Sequence, residues 1–271
     1  IQYGQSIGNP SLRSPYDSTE QIRKHLPMIE DGHGRLTVYF PAYNFDKKLN
    51  VSHMLSVLMG GQTDIDNIKS CRLIDLDLRD IEHQFPSPRY GIKGIREILG
   101  VYGRPLIGGI IKPKIGLSPS QIAEVAREMA LGGCDFIKED EILSNQVFCP
   151  IQKRIPEVVN ALKGLKVIYA PSLTSDGLNL IRRAVKVERM GISGLHVNLW
   201  AGLGSYLQLR NTVKIPIFFQ KSGEKVITTG PYSIDYSVIC KLVNLMGCDF
   251  AHVGMSGGYL DEPVDVIKGR L

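Results

Sequence analysis

Two short charged runs and one histidine carry the chemistry this sequence can offer. Lys112-Pro113-Lys114 closes a mostly apolar stretch that begins at Leu106. Lys138-Glu139-Asp140-Glu141 follows Asp135-Phe136-Ile137, and His252 follows Phe250-Ala251. In an extended strand, alternate residues share a face. Ile110, Lys112 and Lys114 therefore share one face. Phe136, Lys138 and Asp140 share another, with Glu141 just beyond, and Phe250 and His252 share a third. Strands set side by side would bring two lysines, two carboxylates and a histidine to one mouth. Such a set binds Mg²⁺ through oxygens and moves protons beside a carbonyl. Each run also has a plainer reading when taken singly. The first two are then solvated charge runs, and His252 is a hydrogen-bonded core or rim histidine. The glycine-rich stretch from Gly254 to Gly258 cradles a phosphate or is simply a flexible loop. The coincidence of all four favours a site.

The elements that must position these residues follow from periodicity. From Leu106 onward, apolar strand patterns alternate with helical ones. Strands are predicted at 106–112, 134–138, 166–170, 194–199, 215–219 and 249–253, spaced from about 21 to 34 residues, as βα units require. Ser118-Pro119 opens the first intervening helix with a cap and a proline at its first position. The helix-to-strand joint repeats: Leu131-Gly132-Gly133-Cys134-Asp135-Phe136 is echoed by Met246-Gly247-Cys248-Asp249-Phe250. In each, a glycine in a left-handed turn ends the helix. Repeated βα units mean a parallel sheet, open or closed. No GxGxxG loop follows a strand, which weighs against a doubly wound nucleotide-binding sheet and for a barrel. Active-site groups of a barrel gather at the C-terminal strand ends. The first hundred residues read as α+β. Helices are expected at 19–28, capped by Ser18, at 51–59 and at 92–99, and strands at 35–40 and 72–78. The expected division is an α+β domain over 1–103 and a barrel domain over 104–271.

Composition limits the alternatives. The chain has 271 residues, 43% of them hydrophobic and 22% charged, which is ordinary globular usage. Thirty-two Lys and Arg against 27 Asp and Glu leave a net charge of +5 with no basic stripe, so no nucleic-acid partner is expected. No apolar stretch approaches the roughly 20 residues that span a bilayer. The five cysteines are odd in number and lack CxxC spacing. They read as reduced, mostly buried residues of a cytoplasmic protein.

The charged runs also carry a resemblance. Gly109-Ile110-Ile111-Lys112-Pro113-Lys114-Ile115-Gly116-Leu117-Ser118 resembles the first barrel strand and loop of ribulose bisphosphate carboxylase large subunits. Gly132-Gly133-Cys134-Asp135-Phe136-Ile137-Lys138-Glu139-Asp140-Glu141 resembles that family's signature GGxDFxKDDE, and Tyr102-Gly103-Arg104-Pro105-Leu106 matches as well. The resemblance implies a (β/α)8 TIM-type barrel behind a ferredoxin-like N-terminal domain. It also implies Mg²⁺ held by Lys138, Asp140 and Glu141, with Lys138 carbamylated by CO₂, a reaction that the neighbouring carboxylates oppose by raising the lysine pKa. Lys112 is implied in proton transfer during enolisation, with Lys114 beside it. His252, Gly254 and Gly258 are implied in binding substrate, His252 near a phosphate. A homodimer is implied too.

Departures from the family pattern narrow the function. Glu139 stands where the signature has Asp, a mild change. Gapless alignment from His252 puts Tyr259 where carboxylases have the lysine that stabilises the added carboxylate. The fifth-strand segment Phe218-Phe219-Gln220-Lys221-Ser222-Gly223-Glu224 lacks the family's histidines, and Val197-Asn198 replaces a His-Asp pair. Tyr259→Lys alone is therefore not expected to restore carboxylation. The pattern resembles the RuBisCO-like proteins, which enolise, isomerise or decarboxylate phosphorylated sugars. The implied substrate is a sugar phosphate or sugar acid of the 2,3-diketo-5-methylthiopentyl-1-phosphate kind. A genuine ribulose-1,5-bisphosphate carboxylase and a non-catalytic fragment are the alternatives. Only six βα strands are legible where a closed barrel needs eight and about 250 residues, so an incomplete chain is expected.

Overall fold

The computed structural model describes residues 2, 6, 8, 14–16, 19–257 and 261–271. Ser18, Gly258 and Tyr259, to which the sequence reading gives roles, lie outside them. The backbone groups into two compact units, Ile1–Asp77 with Ile227–Asp235, and Leu78–Val226 with Tyr236–Leu271.

In the first unit, helix α1 (Glu20–Arg23) is capped by Thr19, whose side chain accepts from the Ile22 amide. The helix expected to reach residue 28 stops early. Met28 instead opens β1 (Met28–Gly32), which pairs antiparallel with β2 (Arg35–Tyr39). His33 and Gly34 join them with φ of 52° and 78°, the doubly left-handed turn that suits strand twist. Helix α2 (Val51–Met59) has the predicted bounds and an Asn50 cap. Strand β3 covers Cys71–Leu73 rather than 72–78. Its parallel partner, Tyr232–Ile234, is only three residues long.

The second unit begins with α3 (Gly91–Leu99). Strands β4 (Gly108–Ile110), β5 (Phe136–Lys138), β6 (Ile168–Ala170), β7 (Leu195–Asn198) and β8 (Ile217–Gln220) follow. Strand β9 is the Tyr232–Ile234 strand of the first unit, and β10 (Phe250–Ala251) returns to the second. Helices α4 (Pro119–Leu131), α5 (Ile151–Ala161), α6 (Gly177–Arg189), α7 (Gly204–Thr212), α8 (Lys225–Thr228) and α9 (Tyr236–Leu245) intervene. The Ser118 cap and Gln121 form a reciprocal capping box at the start of α4. Strands β4, β5 and β6 pair in parallel, as do β7, β8 and β10, and a parallel bridge between Ser172 and His196 joins the two ladders. The parallel strands of this unit therefore lie in chain order, at the six predicted places.

The array is curled. Phe136 on β5 and Phe218 on β8 stack with ring centroids 5.2 Å apart, although β6 and β7 lie between them. In a flat sheet three strand spacings would hold them about 14 Å apart. Phe250 on β10 packs 4.6 Å from Phe136 on the same inner face. Ile95 and Leu99 of α3 join Phe136, Ile168, Ala170 and Phe218 in one apolar cluster, which fills the interior. Both predicted glycine joints are left-handed, Gly133 at φ 98° and Gly247 at φ 95°. A Cβ on Gly247 would also meet the Arg210 side chain at 2.3 Å, so glycine is needed there twice over.

Candidate active site

The finishing ends of β4, β5, β8 and β10 carry the charged residues. The backbone amide of Ile111 donates to the Lys138 carbonyl at 3.0 Å, which keeps the first strand alongside the second as far as Lys112. Lys112 Nζ then donates to Asp140 Oδ2 at 2.6 Å. Lys138 Nζ lies 3.8 Å from Glu141 Oε2, 5.8 Å from the centre of the Phe218 ring, and donates to its neighbour Glu139's carbonyl at 3.2 Å. The His252 ring meets Phe218 edge-on at 4.9 Å. Lys112, Lys138, Asp140, Glu141 and His252 are thus gathered around one face. Lys114 touches the group through charge, helping to lower the pKa of both Lys138 and Asp140. Gly254 packs differently. A Cβ there would sit 2.5 Å from Ile267, so its bare backbone accommodates helix α10 (Val264–Lys268).

Burial sets the electrostatics. Lys138 is 1% exposed. Loss of water pushes its pKa down, and the positive charges of Lys112 and Lys114 add to this against the pull of Glu141 and Asp140. The carboxylates do raise this pKa, as expected, but desolvation outweighs them and the net shift is downward. Asp140 is also buried, which opposes ionisation, yet the Lys112 hydrogen bond and the Ile142 amide hold its carboxyl below the usual range. His252 falls to about 4, through burial and then the charges of Lys138 and Lys221. At neutral pH it is an uncharged imidazole that can donate one hydrogen bond, not a cation for phosphate.

Other residues complete the site that sequence reasoning did not single out. His196 on β7 is fully buried, and its pKa falls to about 3 by burial and the nearby Lys138 charge. Its Nε2 has no hydrogen-bond partner. Ser222 Oγ donates to Glu141 Oε1 at 2.6 Å and Gln220 Nε2 donates to Glu141 Oε2 at 3.2 Å. Gln220 Oε1 is buried without a partner. The fifth-strand residues that mark the departure from carboxylases thus hold Glu141 directly. Strand parity was the signal available for His196 and Gln220, since they share the inward register of Asn198 and Phe218. Lys221 is bound on both sides, 3.3 Å from Glu224 and 3.3 Å from Glu262.

Among the described residues, no group of three or more His, Cys, Asp or Glu converges as a metal cage. The donor set fits Mg²⁺ in one way. Asp140 and Glu141 would supply two hard oxygens, and a third anionic donor would arise if the Lys138 amine took up CO₂. A buried amine with a lowered pKa is suited to that, because carbamylation requires the neutral form.

Comparison with known proteins identifies the family of this fold. The family model for the ribulose bisphosphate carboxylase large chain, catalytic domain, matches residues 91–271. An uncharacterised ribulose bisphosphate carboxylase-like protein of Bordetella bronchiseptica is 37% identical over 244 residues, covering 86% of this chain and 57% of that protein. The 2,3-diketo-5-methylthiopentyl-1-phosphate enolase of Geobacillus kaustophilus is 33% identical over 261 residues, covering 85% of this chain and 62% of the enolase. The crystal structure of a RuBisCO-like protein from Burkholderia fungorum superposes with a TM-score of 0.79 at 28% identity, covering 96% of this chain and 65% of that one. The chain spans less than two thirds of the length of each of these relatives. With the catalytic-domain match running over most of its length and the α/β fold shared, this chain belongs to the ribulose bisphosphate carboxylase large-chain superfamily, as a RuBisCO-like member.

Proposed function

We propose that the full-length protein is a Mg²⁺-dependent enzyme that removes a proton beside a carbonyl of a phosphorylated sugar, in the manner of a 2,3-diketo-5-methylthiopentyl-1-phosphate enolase. The observation that carries this reading is the buried, depressed-pKa Lys138 amine 3.8 Å from Glu141, with Lys112 2.6 Å from Asp140. Mg²⁺, when bound, polarises the substrate carbonyl and lowers the cost of the enolate. Lys138 as its carbamate, Asp140 and Glu141 would hold it. Gln220 and Ser222 orient Glu141. The Lys112 side chain is half exposed, so it can turn from Asp140 toward substrate, where its amine takes or returns the carbon-bound proton. Lys114, Gly254 and Gly258 are assigned to the phosphate, and His252 to a neutral hydrogen bond nearby. The curled parallel strands read as an arc of a (β/α)8 barrel over 104–271, after a ferredoxin-like domain over 1–103. Homodimerisation and a cytoplasmic location belong to the same reading. All five cysteines are free, and among the described residues no helix is long and apolar enough to cross a membrane.

The test is solvent exchange. In deuterated water with Mg²⁺ and bicarbonate, the full-length protein should exchange the proton next to the carbonyl of 2,3-diketo-5-methylthiopentyl-1-phosphate. Incorporation of labelled bicarbonate into ribulose bisphosphate at the rate of an ordinary carboxylase would overturn the assignment.

A further inference from the structure

Glu139 sits between Lys138 and Asp140, and strand alternation turns it the other way, out of the mouth and toward the helix layer. It is 0% exposed. A side chain in that layer is ordinarily apolar, as its neighbour Ile137 is. This carboxylate is instead surrounded by donors from two elements. Arg154 of α5 brings Nε to 2.6 Å from Oε1 as an ion pair without hydrogen-bond alignment, and its Nη2 donates to Oε2 at 3.1 Å. Tyr169 of β6 donates its hydroxyl to Oε1, and the Ser172 amide just past β6 donates to Oε2 at 2.9 Å. Arg154 is itself fully buried and donates onward to the carbonyls of Ser144, at 2.7 Å, and Cys149. Those carbonyls belong to the loop that leaves Glu141. Glu139's own carbonyl accepts from Lys138 Nζ. One residue therefore joins β5, the exit of β6, α5 and the loop after Glu141, while touching the Lys138 amine.

We propose that Glu139 is a positioning residue for the Mg²⁺- and CO₂-binding run, acting through Lys138, Asp140 and Glu141 and not by touching substrate. A buried ion pair is weak as a source of stability, because apolar residues of similar volume often do as well. What it supplies is direction. The Cα positions of Asp140 and Glu141 are fixed by a backbone turn whose preceding side chain is held by three residues, Arg154, Tyr169 and Ser172. Partners of this outer kind commonly change metal affinity by about 10–100-fold when removed.

This inference rests on the reading given under Proposed function, and the experiment separates the two. The full-length protein is given ¹³C-bicarbonate and Mg²⁺ at neutral pH. Carbamate on lysine is read by NMR, Mg²⁺ affinity by calorimetry, and folding by circular dichroism melts. Wild type should form the carbamate and bind Mg²⁺. Glu139→Gln keeps shape but loses charge, and should bind Mg²⁺ about 10–100-fold more weakly with less carbamate. Glu139→Asp should lie between the two. The paired variant Glu139→Leu with Arg154→Met removes both members of this buried ion pair, so it should fold well yet remain impaired in both uptakes. A merely structural role predicts the reverse for that pair: wild-type carbamate and Mg²⁺ affinity once stability is restored. That result, or a folded Glu139→Gln with wild-type affinity, overturns this inference alone. Absence of carbamate and Mg²⁺ binding in wild type overturns the functional reading and this inference with it.

Discussion

The two ends of the strand array treat charge in opposite ways. At the starting ends, Asp135 and Asp249 do the same job in the repeated Cys-Asp-Phe joints. Asp135 accepts from Arg104 at 2.6 and 2.9 Å and from the Ile107 amide at 2.8 Å. Asp249 accepts from Arg210 at 3.0 Å, from the Ile217 amide at 3.1 Å and from the Tyr90 amide at 2.8 Å. Each aspartate thus fastens its strand to the start of the one beside it, β5 to β4 and β10 to β8, and its arginine neutralises it. At the finishing ends the balance is left open. Lys138 is buried with a depressed pKa, and Gln220 Oε1 and His196 Nε2 are buried without partners. Two residues, Phe136 and Ile137, separate the two regimes, Asp135 just before β5 and Lys138 at its end. Closed charge at the start makes a rigid frame, and open charge at the finish can be used on a ligand.

Mutation at the open end should cost chemistry without costing the fold. Lys138→Met removes the amine proposed to form the carbamate and relieves a buried charge. Mg²⁺-dependent proton exchange should fall by about 1,000-fold or more, while the thermal midpoint stays level or rises. Exchange rates and melting curves on the same preparation would check both halves. A destabilised variant with retained exchange would erase the contrast between the ends.

At the closed end the reverse is expected. Asp249→Ala strands a buried Arg210 and should cost about 3–5 kcal/mol by denaturant titration, with Mg²⁺ affinity of the folded fraction unchanged. Asp135→Ala should cost less, on the order of 1–2 kcal/mol, because Arg104 is 46% exposed and water can take over part of the pairing.

Acid sharpens the same comparison. His196 titrates at about 3 and His252 at about 4 in the folded chain, both well below an unfolded histidine. The unfolded state therefore binds more protons below about pH 6.5, and stability is lost as pH falls through that range. By about pH 5 each histidine should cost about 2 kcal/mol. Urea titrations between pH 7 and 5 should show this slope, and His196→Gln should flatten it. Carbamylation follows the same sign, since protonating Lys138 removes the neutral amine, so Mg²⁺ uptake from bicarbonate should weaken toward low pH.

The smallest effect expected is at the fifth strand. Gln220→Leu and Ser222→Ala each remove one donor to Glu141, and each should weaken Mg²⁺ binding by about 10-fold with little change in melting. Calorimetry of the two single variants and the double variant would show whether the donors act on one carboxylate, as a less than additive loss.

The sequence by itself determined the alternation of strand and helix, the two glycine joints and the residues of the charged runs. These are local matters. Period-two and helical patterns, a Ser-Pro cap and a glycine that must take positive φ leave their mark within a few positions. The inward parity of Lys138 and Asp140 was legible for the same reason. Tertiary structure alone decided the rest. The alternating stretch 72–78 shortens to Cys71–Leu73 because pairing needs a neighbour, and the neighbour is a three-residue strand more than 150 positions away. Lys138 is depressed because burial around it outweighs the two carboxylates close by in sequence. Glu139 reads as one more member of a charge run until Arg154 and Tyr169 arrive from α5 and β6. Sequence spacing gives the order of charges along a strand, while their energies depend on how much water the surrounding elements remove and which partners they bring.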